Sequence, residues 1–361
     1  MKRLVLPIAF AACVAGCAGG TSASPPPIST SVAATPSPTP VPTATPGIAG
    51  TIREFTSGVN TNGGLLNTIT TGPDGNLWFT EQAVDRIARM TPAGAITEFA
   101  LPSHVCPSFI AAGPDGNLWF TEYCSGHVGR ITPTGTVTEF SAGITPGLGP
   151  WGIAAGPDGN LWFTEAGGPV PTDKPGVARI TPSGVVTEFS QGVSQGSFPQ
   201  GIVAGPDGNM WFAEYGHPGP DPTSQNVGRI GRITMSGVVT EFSAGITLGS
   251  APSWIAAGPD GNLWFTESYR SRIGRITTSG TVTEFGTGIS SPAGAITPGP
   301  DGNLWFTEGS PARIARITTV GVVTEFASGI TPGSGPSGIA RGPGMSIWFV
   351  ESEANGVGEV R

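Results

Sequence analysis

The chain is poor in charge, and poorest in positive charge. Its 361 residues hold 17 lysines and arginines against 25 acidic residues, for a net charge of −8. No basic stripe or cluster occurs, so nucleic-acid binding, which needs cations to displace phosphate counterions, is not expected. Histidine occurs only at 104, 127 and 217, and cysteine only four times. The apolar run Leu4–Val14 is too short for a stable membrane span, which takes about 20 residues. Glycine (57) and proline (36) are plentiful instead. Without a period such a composition would indicate disorder, but here the glycines recur at regular spacing and tryptophans come with them.

The first residues, MKRLVLPIAFAACVAGC, read as an export signal. Lys2 and Arg3 form the charged start, and Val14-Ala15-Gly16-Cys17 resembles a bacterial lipobox. The expectation is a lipoprotein signal peptide over 1–16, with Cys17 acylated after cleavage. Ordinary secretion is the alternative. Ala18 after the cysteine points to the outer membrane in a two-membraned cell. Removing Lys2 and Arg3 leaves 15 basic against 25 acidic residues. Residues 17–49 combine the lipidated cysteine with a Pro/Ser/Thr-rich linker that cannot build a core. The membrane is then met through the lipid alone, and several acyl chains suffice for stable anchoring.

From residue 50 onward the chain repeats. GPDGNLWFTE begins at 72, 113, 156, 258 and 299, GPDGNMWFAE at 205, and the degenerate GPGMSIWFVE at 342. The steps of 41–53 residues match a four-stranded propeller blade. In one unit Trp151–Gly156 reads as the inner strand and Leu161–Glu165 as the second. Val177–Thr181 reads as the third and Val185–Phe189 as the outer strand. Pro-Asp-Gly-Asn makes the tight turn between the first two. Trp78, Trp119, Trp162, Trp211, Trp264, Trp305 and Trp348 fill one slot in seven units and should pack each sheet against the next. The last unit ends after its third strand, Val357–Arg361, and Thr51–Phe55 is an orphan outer strand. Residues 50–361 are therefore expected to form an all-β, seven-bladed β-propeller, closed when the N-terminal strand completes the last blade and removes the exposed edge.

Function should sit on the face where loop length varies. The outliers are Ala166–Gly176 and Tyr215–Gly228, in neighbouring blades three and four. Seven glutamates (81, 122, 165, 214, 267, 308 and 351) end the second strands toward this face. A carboxylate ring could hold a divalent cation. The competing expectation pairs each with a third-strand arginine (89, 130, 179, 232, 275 or 316). In blade seven that arginine is replaced by Glu359, so Glu351 and Glu359 form a candidate metal or proton site. Trp151, Gln200, Ser253, Trp254 and Ser337 are the candidate ligand-binding residues at the channel mouth. The two tryptophans can stack on a ligand or plug the ring. Cys106 and Cys124 are expected to form a disulfide after export, worth roughly 3 kcal/mol in the chain-entropy model. A Cys2His2 metal set with His104 and His127 is the alternative.

The trio of WFTE, then IGRIT (Ile273–Thr277), then TEF resembles the virginiamycin B lyase family, the streptogramin lyases, over residues 51–361. The resemblance implies a seven-bladed propeller and elimination, not hydrolysis, of the ester that closes a type B streptogramin. It implies Mg²⁺ to polarise the ester and a histidine base to take the α-proton. The family's histidines follow a proline in the segments entering the last two inner strands, and a glutamate precedes the final proline. Here those slots hold Ala293 or Gly294, Ser337 and Gly335, and a further family glutamate falls near Glu351. The elimination therefore lacks its proton acceptor. The expectation is a monomeric, virginiamycin B lyase-like lipoprotein of the cell envelope that binds an unidentified small molecule or an envelope protein. A Mg²⁺-dependent carbon–oxygen lyase acting on a streptogramin or related cyclic ester is the alternative.

Overall fold

The computed structural model describes residues 50–59, 65–167, 174–216 and 227–361. The leader, Cys17, the linker, the centres of both long loops and His217 lie outside the described residues. The described chain forms seven antiparallel sheets of four strands each. In six of them the strands follow chain order from the inner to the outer edge. Blade three runs Pro150–Ala155, Leu161–Glu165, Gly176–Ile180 and Val186–Phe189, within a residue of the expected bounds at nearly every end. Inner strands of successive blades lie side by side, and that of blade seven (Pro336–Arg341) returns to that of blade one (Leu66–Thr71). The ring is closed.

Closure uses the chain's own start. Ile52–Phe55 pairs antiparallel with Gly356–Val360, putting Ile52 opposite Val360 and Phe55 opposite Val357. Thr51 and Arg361 exchange both backbone hydrogen bonds, at 3.0 and 2.9 Å. Without this strand the backbone groups of Gly356–Val360 would be left as an open sheet edge.

The repeated phrase is a self-satisfying corner. Asp74 Oδ1 accepts from the Trp78 indole nitrogen at 3.0 Å, and Oδ2 accepts from Asn76 Nδ2 at 2.8 Å. A buried indole N–H left without an acceptor costs about 1–3 kcal/mol, so the aspartate lets the ring go fully inside. The opening glycine is required because the indole lies on it: a Cβ at Gly72 would meet Trp78 at 2.5 Å. The ring stacks on Phe99 of the outer strand, 5.5 Å away, and the Arg89 guanidinium covers it at 5.7 Å. Arg89 then donates to the Pro133 carbonyl of the next blade at 2.8 Å. The same stack recurs around the ring, so each unit ties itself to the next.

This overturns one expectation. The third-strand arginines do not pair with the second-strand glutamates. Register places Trp78 opposite Arg89 and Glu81 opposite Arg86, three residues further along, or about 10 Å. Blade seven changes as a set. Gly344 replaces the turn aspartate, Trp348 donates to Ser346 Oγ at 2.9 Å, and Glu359 fills the arginine slot. Glu359 pairs with Arg361 at 2.7 Å. It lies opposite Trp348, whereas Glu351 lies opposite Gly356. The two carboxylates are at opposite ends of their strands, so they do not make the joint metal site expected from the sequence.

Candidate functional site at the channel mouth

Each inner strand enters from the variable face through a bulge, seen as a register shift such as that between Pro150 and Ile153. A bulge frees backbone groups, and the threonine of WFTE takes them up. Thr164 Oγ1 accepts from Gly152 N at 2.9 Å and donates to the Gln200 carbonyl of the next blade at 2.6 Å. Thr80 and Thr307 donate in the same way to Ser108 and Ser337, at 2.9 and 2.7 Å. Blade-to-blade spacing at the mouth is thereby fixed. Gly152 reflects this closeness, since a Cβ there would meet the Gln200 carbonyl oxygen at 2.2 Å.

The bulge also separates the two unusual tryptophans. Trp151 follows the first residue of its inner strand, as do Gln200, Ser253, Gly294 and Ser337 in theirs. Trp254 comes one residue later, in register with Phe109 of blade two. Its ring lies 4.6 Å from that of Phe109, and it also packs among Ala256, Ala293 and Ala295. Phe109 is 6.2 Å from Trp151, which meets Tyr123 edge-on at 5.0 Å. Trp254 therefore plugs the ring, while Trp151 and the exposed Tyr123 carry the aromatic line outward. Ser253 donates to Gln200 Oε1 at 2.6 Å and Ser337 to the Leu66 carbonyl at 2.9 Å. These two candidates are engaged with neighbouring blades.

The second-strand glutamates are buried, and those of blades two to seven each lie against a second glutamate, that of the outer-strand TEF motif. Glu165 meets Glu188, Glu214 meets Glu241, and Glu351 meets Glu54. Burial holds the carboxyls of Glu165 and Glu214 well above the usual range, and the neighbouring carboxylate adds to it. Burial pushes Glu267 up to about 8, reinforced by Glu284, and Glu308 to about 7, reinforced by Glu325. The inner partner thus holds its proton to higher pH than an ordinary carboxyl and can share it with the outer one. The outer partner binds the preceding inter-blade loop. Glu241 Oε2 accepts from Ser194 Oγ at 2.6 Å, and Glu54 Oε2 from Thr331 Oγ1 at 2.7 Å. Sequence reading missed these pairs. The signal was available, because TEF recurs as faithfully as WFTE.

At the entrance to blades six and seven the register assigns Gly294 and Ser337 to one position, since Ala293 lies opposite Glu308 and Pro336 opposite Glu351. A recess of about 440 Å³ opens here, lined by Gly309, Ser310, Gly335, Pro336, Ser352 and Glu353 among others. Behind it Glu351 is fully buried, and burial pushes its carboxyl up to about 7, opposed by Ser334 and reinforced by Glu54. The donor set that the resemblance implies for Mg²⁺ does not fit these residues. Gly294, Ser337 and Gly335 offer no imidazole or carboxylate, and Glu351 is fully buried against Glu54.

In blade two Cys106 and Cys124 form a disulfide, with Cα atoms 5.4 Å apart. Their sulfurs cannot then ligate a metal with His104 and His127. His104 is exposed and its backbone nitrogen donates to Asp85 Oδ2 at 2.7 Å. His127 lies elsewhere, its Nδ1 3.7 Å from Glu122 Oε2.

The chain is thus a closed seven-bladed β-propeller whose repeated turns carry structure and whose variable face carries the mouth. It belongs to the virginiamycin B lyase family, whose model matches residues 48–217 and 222–361. A streptogramin B lyase structure is 30% identical, with a TM-score of 0.75 over 86% of this chain and 97% of that one. The selenomethionine-substituted virginiamycin B lyase of Staphylococcus aureus is 34% identical, with a TM-score of 0.75 over 86% and 98%. A catalytically inactive histidine-to-alanine variant of the S. aureus enzyme, crystallised with quinupristin, is 35% identical, with a TM-score of 0.74 over the same shares. No curated protein matches the chain.

Proposed function

We propose that this chain is a binding module of the bacterial cell envelope, exported and lipid-anchored through Cys17, which keeps the family's propeller and has given up its elimination chemistry. The observation that carries this reading is the pair Gly294 and Ser337. The register makes the two positions equivalent at the mouth, and by resemblance the family carries histidines there and a glutamate in place of Gly335. Breaking the ester carbon–oxygen bond by elimination requires a base to accept the α-proton. An inactive histidine-to-alanine relative was nevertheless crystallised with quinupristin, which fits a scaffold that can bind without turnover. The ligand here is a small molecule or an envelope protein that meets Trp151, Tyr123 and the recess between blades six and seven.

A second reading has one observation behind it. Glu351 stands buried behind the recess between blades six and seven, and burial raises its carboxyl to about 7, in the range suited to a general base at neutral pH. On that reading the chain eliminates a different cyclic ester. The purified chain incubated with quinupristin, with and without Mg²⁺, separates the two. Calorimetry should show binding, and chromatography should return the cyclic compound intact. Mg²⁺-dependent conversion to a linear product of unchanged mass would establish the second reading and refute the first.

A further inference from the structure

Blade two differs from its neighbours at the first residue of the third strand. In four blades this slot holds an arginine that pairs with the outer-strand glutamate: Arg86 with Glu98, Arg229 with Glu241, Arg272 with Glu284, Arg313 with Glu325. The fixed cation compensates a site that already holds two carboxyl groups. In blade two the slot holds His127, opposite Glu122. The imidazole is shorter than the guanidinium and stands beside the Glu122 and Glu139 carboxyls.

Three potential ligand atoms, from Glu122, His127 and Glu139, all lie within 4.8 Å of one another. The Glu122 side chain is 0% exposed. Its Oε1 and the His127 Nδ1 are both buried without a hydrogen-bond partner. Nδ1 stands 3.7 Å from Glu122 Oε2, near the edge of about 3.4 Å that ligands at 2.0–2.2 Å from a tetrahedral ion would span. Ser125 Oγ donates to Glu122 Oε2 at 2.8 Å, as a residue orienting a ligating carboxylate does. Asp85 adds negative charge from blade one. Its oxygens are taken by the backbone N–H groups of His104, Val105 and Cys106, so it acts through its field. The disulfide between Cys106 and Cys124 ties down the segment that carries Ser125.

We propose that Glu122, His127 and Glu139 bind one divalent transition-metal cation of the Zn²⁺ type. Imidazole nitrogen with two carboxylates selects such an ion over Mg²⁺ or Ca²⁺, which prefer oxygen throughout. His127, 33% exposed, borders solvent and gives the ion its entry path, and three protein ligands leave a fourth position for water. The site does the work of the arginine in four other blades, tying the second strand to the outer one.

Zn²⁺ titration of the metal-stripped, disulfide-intact full chain tests this. Calorimetry should give one ion per chain, with a rise in Tm at saturation. His127→Arg restores the residue used by four other blades, so it should fold with an unchanged near-UV spectrum and lose Zn²⁺ binding. Glu139→Gln should lose it too, and Ser125→Ala should weaken it by about 10–100-fold. His104→Ala and His217→Ala should bind as wild type. Absence of Zn²⁺ binding by the wild-type chain, or undiminished binding by both His127→Arg and Glu139→Gln, would overturn the proposal.

Discussion

Trp254 of blade five and Phe109 of blade two face each other across the ring, centroids 4.6 Å apart. These are the only two aromatic residues at that inner-strand position, and they meet where the seven inner strands converge. Phe109 is 8% exposed, so truncating it removes packed apolar surface and leaves a cavity. Phe109→Ala should cost about 3 kcal/mol, the lower end of the range for such changes. In a domain of this size that is about 5 °C in Tm. The double variant with Trp254→Ala should lose less than the sum, because one contact is removed twice. Additive losses in calorimetry would show that the rings do not support each other.

The turn aspartate and its tryptophan make a second test. Asp158 Oδ1 accepts from Trp162 Nε1 at 3.1 Å. Asp158→Gly should cost about 1–3 kcal/mol by leaving a buried N–H without an acceptor. Blade seven has already solved this problem, since its glycine at that position is accompanied by Ser346, which accepts from Trp348 at 2.9 Å. Adding Asn160→Ser to Asp158→Gly should therefore recover much of the lost Tm. No recovery would mean that the aspartate acts through more than the indole.

Much of this was legible in the sequence because a repeat is its own control. The tryptophan slot, the blade count and the orphan strand at 51–55 follow from period alone. What was not legible depends on direction and register. Arg89 is near Glu81 in the repeat, but it stands three residues from Glu81's partner, Arg86. Trp254 shares a label with Trp151, but the bulge puts it one residue deeper, where it plugs the ring instead of lining it. The site chemistry depended on such offsets. A missing histidine can be read from a string, whereas a carboxylate pair such as Glu165 and Glu188 needs three strands in register.

The buried carboxyls predict an unusual pH response. Glu267 rises to about 8 and Glu308 and Glu351 to about 7, against an ordinary value of 4.5. The folded state therefore holds these protons more tightly than the unfolded chain does. Their contribution to stability is full below the ordinary value and is lost as pH rises through the folded values. Asp74 and its equivalents run the other way: burial opposes their ionisation, but hydrogen bonds from Asn76 and Trp78 win and hold Asp74 below its usual value. That contribution fades only in stronger acid. Tm should fall steadily between pH 5 and 8.5, and Glu267→Gln should flatten the slope. A Tm that rises across this interval would contradict protonated carboxyl pairs.

Restoring the family's residues asks whether only side chains were lost at the mouth. Gly335 has φ +65°, a left-handed conformation that strains other residues, and a Cβ there would meet Glu353 at 2.7 Å and Ser352 Oγ at 2.9 Å. A Cβ at Gly294 would meet Thr307 Oγ1 at 2.6 Å. That hydroxyl cannot easily retreat, because it accepts from Ala295 N and donates to the Ser337 carbonyl. Ser337 already has a side chain, so Ser337→His should be tolerated. Gly294→His with Gly335→Glu should lower Tm by several degrees, since strain at a left-handed residue costs about 1–3 kcal/mol. The triple variant should show no Mg²⁺-dependent opening of quinupristin, because the backbone that would aim the new groups has been rebuilt around glycine. Lyase activity in a stable triple variant would show instead that the site was lost by side-chain substitution alone.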